Sequence, residues 1–215
     1  HPGISLLNDD EVGGNGAQAA QSVYDALASN KNQGKRITGA EGDFGPSPEP
    51  SIRDDTIATR NSPNPDASNV LDPNFLAHFV QMLAMAADNR YDDGTTLSGS
   101  GIELGTADNP QITFADGDLS VAGNGDGYGV LVVTGSLDYQ GAFDFNGLVM
   151  VLGGGDLKMG GATKDITGGM LVGNLLEMDD GSYEFGVGNI TISGNSDFLF
   201  DSDSIRMAIT LLPLK

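Results

Sequence analysis

Glycine occupies every sixth residue from 117 to 153, at Gly117, Gly123, Gly129, Gly135, Gly141, Gly147 and Gly153. No other feature of the chain restricts its fold as strongly. The chain has 32 glycines in 215 residues. At that frequency, six further matches at one spacing arise by chance about once in 100,000 starting points, so the ladder is a repeat and not a by-product of composition. Within most hexads the third and fifth residues are large and apolar: Leu119 and Val121, Leu131 and Val133, Leu137 and Tyr139, Phe143 and Phe145, Val149 and Val151. The unit Gly-x-Φ-x-Φ-x has the period of two that belongs to strands, in segments too short for helices.

Three hexads span 18 residues, close to one turn of a three-faced β-solenoid. Gly117, Gly135 and Gly153 are then expected at equivalent corners of successive coils, where glycine accepts backbone angles that other residues avoid. The expected fold is mainly β: a glycine-rich parallel β-solenoid, or β-helix, with a small helical and loop-rich N-terminal part. An antiparallel β-sandwich is the alternative. The residues before the glycines are Ala122, Tyr128, Thr134, Gln140, Asn146 and Leu152. A left-handed hexapeptide helix prefers an aliphatic residue there, so the pattern favours a right-handed or irregular parallel solenoid. After Gly155 the ladder loosens, holding to Gly161, gaining one residue before Gly168, and returning at Gly188 and Gly194 around Ile190 and Ile192. Residues 162–187 read as coils with insertions.

Three segments follow from this. Residues 1–14 form an N-terminal arm in which Ile4, Leu6 and Leu7 precede the acidic Asp9, Asp10 and Glu11. Residues 15–95 form a helical and loop-rich region packing on the solenoid, and residues 96–215 form the solenoid. In the middle segment Ala19, Ala20, Val23, Tyr24 and Leu27 make one stripe at helical period, predicting a helix over 16–29 behind Asn15. Between 39 and 69, prolines at 46, 48, 50, 63 and 65 leave no regular element, because proline lacks the N–H and biases its predecessor away from helix. That stretch reads as a connection along the solenoid's side, or else as an exposed binding loop. Asp72-Pro73 then opens a helix over 73–88 with aspartate as N-cap and proline in its first turn. Phe75, Leu76, Phe79, Val80, Leu83, Ala86 and Ala87 form its apolar face, with His78 beside it. The apolar terminal segment from Ile205 to Leu214 reads as a capping helical turn or a last strand.

The net charge is −20, from 10 basic and 30 acidic residues. Such a chain repels nucleic acid and anionic lipid, and attracts cations such as calcium. Cysteine is absent, which removes disulfides and thiolate chemistry. No run reaches the ~20 apolar residues of a membrane span, and HPGISLLNDDE lacks the basic start and apolar stretch of a signal peptide. The expectation is a chain without a membrane span, the mature or truncated part of a precursor.

The run GDLSVAGNGDGYGVLVVTGSLDYQGAFDFNGLVMVLGGGDLKMGG is similar to the C-terminal region of PilX-type proteins of type IV pilus assembly. The resemblance runs through Gly127, Gly129, Leu131, Val132, Val133, Gly135, Leu137, Gly141, Phe143, Phe145, Gly147, Leu148, Val149, Val151 and Gly153, and DPNFLAHFVQMLAMAAD resembles the helix preceding that region. It covers 72–205, and 15–30 loosely. It implies a secreted or surface-anchored, non-enzymatic bacterial protein working in or beside a filament. Members of that family begin with a leader and a hydrophobic helix, which this chain lacks. The resemblance therefore implies either the ectodomain of such a protein or a processed subunit that builds its own fibre.

Acidic pairs supply candidate calcium ligands, and Asp116 with Asp118 and Asp201 with Asp203 are preferred because a solenoid corner can hold each pair on one side of a turn. Asp92 with Asp93 and Asp179 with Asp180 are further pairs, and GNGDGYG at 123–129 resembles one unit of a glycine-rich calcium repeat. Solvated turns are the plainer reading of all of them. The same carboxylates could serve a polysaccharide-cleaving β-helix. Against that, no histidine lies in the solenoid half, no tryptophan occurs, and Lys158 and Lys164 are the only basic residues between 112 and 204. His1, with His78 the only other imidazole, permits a copper-binding brace if it is the mature terminus, although a processing boundary is the simpler view. No catalytic residues are assigned.

The reading is a non-enzymatic structural subunit of an extracellular filament or pilus-associated surface assembly. It would self-associate through solenoid ends or terminal arms, with Ile4, Leu6, Leu7, Ile205, Leu211 and Leu212 as donors. An adhesin-like ectodomain recognising a glycan or surface through 39–69 is the alternative, and a carbohydrate-active enzyme the next.

Overall fold

The computed structural model describes residues 4–6, 11–14, 52–54, 72–154, 156–160, 164–192 and 196–212. From Asn89 onward the chain winds as a parallel β-solenoid, which sets aside the antiparallel sandwich. Each coil crosses three faces in turn. The first face carries β4 (Asn89–Asp92), β7 (Gln111–Asp116) and the second halves of β9 (Asn124–Val133), β11 (Ala142–Val151) and β13 (Lys164–Val172). The second carries β5 (Thr95–Leu97), β8 (Leu119–Val121), β10 (Leu137–Tyr139), β12 (Asp156–Met159) and β16 (Asn189–Ile192). The third carries β6 (Ser100–Leu104), the first halves of β9, β11 and β13, and β17 (Ser196–Phe200).

The hexad arithmetic holds where the ladder is strict. Ala142 pairs with Asn124, Gly147 with Gly129 and Leu137 with Leu119, each one coil of 18 residues apart. Beyond it the coil lengthens, with Leu157 opposite Leu137 and Ile166 opposite Phe145. The insertion expected within 162–187 is an antiparallel hairpin, β14 (Asn174–Glu177) with β15 (Tyr183–Gly186).

All ten apolar residues of the hexads are buried in the solenoid interior. They stack as like on like: Leu119, Leu137, Leu157 and Ile190 form one column, and Ala115, Val133, Val151 and Val172 another. Full burial of each large side chain contributes about 1.5–3 kcal/mol. Where two phenylalanines enter on β11, the coil below has Gly125 and Gly127 opposite them, and a Cβ on Gly127 would strike the Phe145 ring. Tyr139 lies edge-on to Phe143, 5.7 Å between ring centres, and its hydroxyl donates to the Phe143 carbonyl at 2.7 Å.

The glycines form columns, one at each corner, for two different reasons. Between the third and first faces, Gly129, Gly147 and Gly168 stack in register with φ of +121°, +140° and +137°, which side chains disfavour. At the other corners Gly123, Gly141, Gly135 and Gly153 are not in the positive-φ region. There the constraint is space: a Cβ on Gly141 would meet the Gly123 carbonyl, and one on Gly153 the Thr134 carbonyl. The conformational explanation expected for the Gly117, Gly135 and Gly153 column therefore applies to Gly117 alone, at φ +116°.

The first face is apolar on both sides. Leu131, Val133, Val149 and Val151 point inward, while Val130, Val132, Met150 and Leu152 join an outer cluster, the continuous apolar run of a sheet covered on both faces. Two helices cover it. α1 (Pro73–Ala86) packs on β7 and β15, and α2 (Ser202–Thr210) on β9, β11 and β13. The Asp72 carboxylate caps α1, accepting from the amides of Asn74 at 2.9 Å and Phe75 at 3.3 Å, with Pro73 in the first turn. Leu76, Ala77, Val80 and Leu83 are its buried side, whereas Phe75 is 43 % exposed. α1 ends at Ala86, two residues before the expected stop, because the Asp88 amide already donates to the Ile112 carbonyl and its carboxylate accepts the Ile112 amide.

Two further features differ from the sequence reading, and a third, the C-terminal segment, takes the helical of its two expected forms. The solenoid begins at Asn89 and not at 96, since β4 and β5 pair in register with β7 and β8. A three-residue strand, β3 (Ile52–Asp54), survives between the prolines. The C-terminal apolar segment is a helix lying along the first face. The expected helix over 16–29 and the rest of the 39–69 stretch lie outside the described residues.

The N-terminal arm reaches the far end of the solenoid. β1 (Ile4–Leu6) runs parallel to β13 with Ser5 opposite Leu171, and β3 pairs with β1 in turn. β2 (Glu11–Gly14) runs parallel to β16. Residues from the start of the chain thus supply the rung above its last coil.

Candidate functional site

The carboxylates at the corners are occupied largely by backbone. Between the first and second faces, Asp93 Oδ1 accepts the Asp118 amide at 2.7 Å, and Asp118 Oδ1 accepts the Ser136 amide at 2.7 Å. Each side chain satisfies an N–H of the next coil where the turn interrupts the ladder. Asp144 does the same for Asp165 at 3.0 Å on the third face.

The preferred acidic pairs are not held as the sequence reading expected. The corner at Gly117 separates Asp116 from Asp118. Asp116 lines a cavity against α1, and Asp118 lines another of about 250 Å³ along the second face, with Asp138 and Lys158. Asp201 is the N-cap of α2, its Oδ2 accepting the Ser204 amide at 2.8 Å and the Ser204 hydroxyl at 2.6 Å. Those bonds hold its carboxyl below the usual aspartate range. Asp203 sits in the first helical turn and pairs with Arg206 at 3.3 Å, both exposed. Among the described residues, no three of His, Cys, Asp and Glu converge. Asp180 accepts from the Ser182 hydroxyl and amide in its turn, which lowers its carboxyl as well. His78 is exposed on α1, its Nδ1 2.8 Å from the Asn74 carbonyl oxygen. His1 lies outside the described residues.

Of the assembly residues, Ile4 and Leu6 lie in β1, and Leu7 falls outside the described residues. Ile205, Leu211 and Leu212 are half-buried, and the last two pack in the outer cluster under α2. The C-terminal segment is therefore a helical cover and not a strand.

A mixed-polarity cavity beside α1 was not among the sequence candidates. It has a volume of about 400 Å³ and is bounded by α1, the first face and the hairpin. Ala77, Val80 and Ala84 roof it, and Phe114, Leu152 and Leu175 give it an apolar wall; Arg90, Asp116, Gln81, Glu177 and Tyr183 add polar groups. Arg90 lies over the Phe114 ring, 5.7 Å from its centre, because the two residues are opposite each other on β4 and β7. Glu177 and Tyr183 are opposite each other across the hairpin. Partial desolvation and the adjacent Glu177 carboxylate raise the Tyr183 phenol above the usual range. The Tyr183 amide donates to Asn74 Oδ1 at 2.9 Å, fixing the hairpin to the start of α1. These residues are scattered from 77 to 183, so only the folded coil order brings them together.

The fold and this site define a helix-covered parallel β-solenoid with a mixed-polarity cavity beside α1. The chain matches no protein-family model, no curated protein and no solved structure.

Proposed function

We propose that the chain is a non-enzymatic structural subunit of an extracellular bacterial filament or pilus-associated surface assembly, and that copies join by strand addition at the solenoid ends. The observation that supports this most is the arm. β1 and β2 add parallel rungs to β13 and β16, although some 165 residues or more of chain separate them. The last coil thus accepts a strand from a distant segment, and a second copy's arm presents the same backbone and side chains. At the other end β4, β5 and β6 have no further strand on their outer side among the described residues, and an open parallel edge is a template for pairing. The similarity of the glycine ladder to PilX-type proteins agrees with such a role.

Analytical ultracentrifugation of the full chain and of a chain lacking residues 1–14, each with and without calcium, tests the reading. The full chain should associate with rising concentration and the shortened chain should not. A full chain that stays monomeric in both buffers ends the proposal.

A further inference from the structure

We propose that the cavity beneath α1 binds a neutral, polyhydroxylated ligand of the saccharide class. Its volume of about 400 Å³ lies within the range of small-molecule sites. Its lining holds hydrogen-bonding capacity that the fold does not use up. The Arg90 guanidinium only donates, and the Asp116 and Glu177 carboxylates only accept. All three line the same space; among the described residues Arg90 makes no ion pair, lying instead over Phe114, and Glu177, which accepts from the Tyr183 hydroxyl, keeps further lone pairs for a ligand.

The charges select the ligand. An anion faces two carboxylates in a chain of net charge −20, and a simple cation faces Arg90. A hydroxyl both donates and accepts, so a cluster of them engages Arg90 and the carboxylates together without placing a net charge in the cavity. The apolar wall, with Val80 and Leu152, suits the C–H face of a sugar ring. The polar groups sit on α1, on paired strands and on a hairpin tied to α1 by the Tyr183 amide, so the backbone that carries them is positioned before a ligand arrives. Ligand binding in this cavity is independent of self-association.

The test is amide-resolved NMR of the full chain titrated with cellobiose, maltose and diacetylchitobiose, with zwitterionic glycylglycine and anionic glucuronate as comparisons. At least one neutral sugar should shift the amides of Ala84, Thr134 and Tyr183 saturably, and neither comparison compound should. Arg90→Ala and Glu177→Gln, both at exposed positions, should each weaken that binding about tenfold, the size expected for one hydrogen bond to a charged group. Ala84→Phe, which fills the roof, should abolish it. The proposal is overturned if none of the three sugars gives saturable shifts at those residues. It is equally overturned if the comparison compounds bind there instead, or if Arg90→Ala and Glu177→Gln leave sugar binding unchanged.

Discussion

Replacing single corner glycines by alanine separates backbone conformation from stacking space. Gly94 has φ +73° and open space where a Cβ would go. Gly94→Ala therefore tests conformation alone, at a cost of about 1–2 kcal/mol. Gly141 is not in the positive-φ region, but its Cβ would land on the Gly123 carbonyl of the coil below. Both corners are anchored by the paired strands on either side and have little room to step aside, so Gly141→Ala should cost about 1–3 kcal/mol, the range for overpacking. Gly147 combines φ +140° with a Cβ aimed at the Gly129 carbonyl. Both penalties apply, and Gly147→Ala should lose about 2–5 kcal/mol, much of the total for a domain whose stability is about 5–15 kcal/mol. Urea unfolding reads the differences; at a mid-range slope of about 2 kcal/mol per molar the Gly147→Ala loss becomes a midpoint shift of about 1–2.5 M. The sign at Gly141 decides the matter. If glycine were there only for flexibility, alanine at an ordinary φ would be neutral, or stabilising by about 0.4–1 kcal/mol through the unfolded chain. A stable Gly141→Ala protein would refute the stacking account.

Other perturbations address the core, a cap and one ionisable side chain. Phe145→Ala empties a fully buried site packed against Gly127 and should cost about 3–5 kcal/mol in the same urea assay. Asp201→Ala removes the α2 cap and should cost about 0.5–2 kcal/mol, with the loss concentrated in amide exchange protection along Ser202–Thr210. Because the folded Asp201 carboxyl is lowered, its contribution is complete above the unfolded aspartate range and fades as pH falls below about 4. Asp201→Asn should flatten that part of the acid unfolding curve. Tyr139 is held well above the tyrosine range by burial first, then by Asp144 and Asp165. Its stabilising contribution is present below the unfolded tyrosine range and lost at higher pH, so its tyrosinate absorbance should appear only together with loss of the fold.

The solenoid was legible because its rule is local. Each coil repeats after 18 residues, and Leu137 must sit on Leu119 for both to be dry. The cap at Asp72 was legible for the same reason, since all its partners lie within three residues. The two-sided burial of the first face was present in the runs GVLVV and GLVMV. The third and fifth hexad positions are the inner residues, whereas Val130, Val132 and Met150 lie between them on the outer side and hold the helices. The arm's destination had no local signature, because a parallel pairing between Ser5 and Leu171 is chosen by the finished solenoid end. The cavity had none either: Arg90, Asp116 and Tyr183 belong to three separate elements, and nothing in their neighbouring residues couples them. The corner carboxylates were visible as acidic pairs, but their partners are amides one coil away, which sequence spacing near each pair does not reveal.

Negative-stain electron microscopy of the full chain tests the central claim, that this solenoid is built to join copies of itself through its ends. The account predicts fibres or linear oligomers one solenoid wide that vanish when residues 1–14 are removed. Uniform single particles from the intact chain at high concentration, or fibres that persist without the arm, would contradict it.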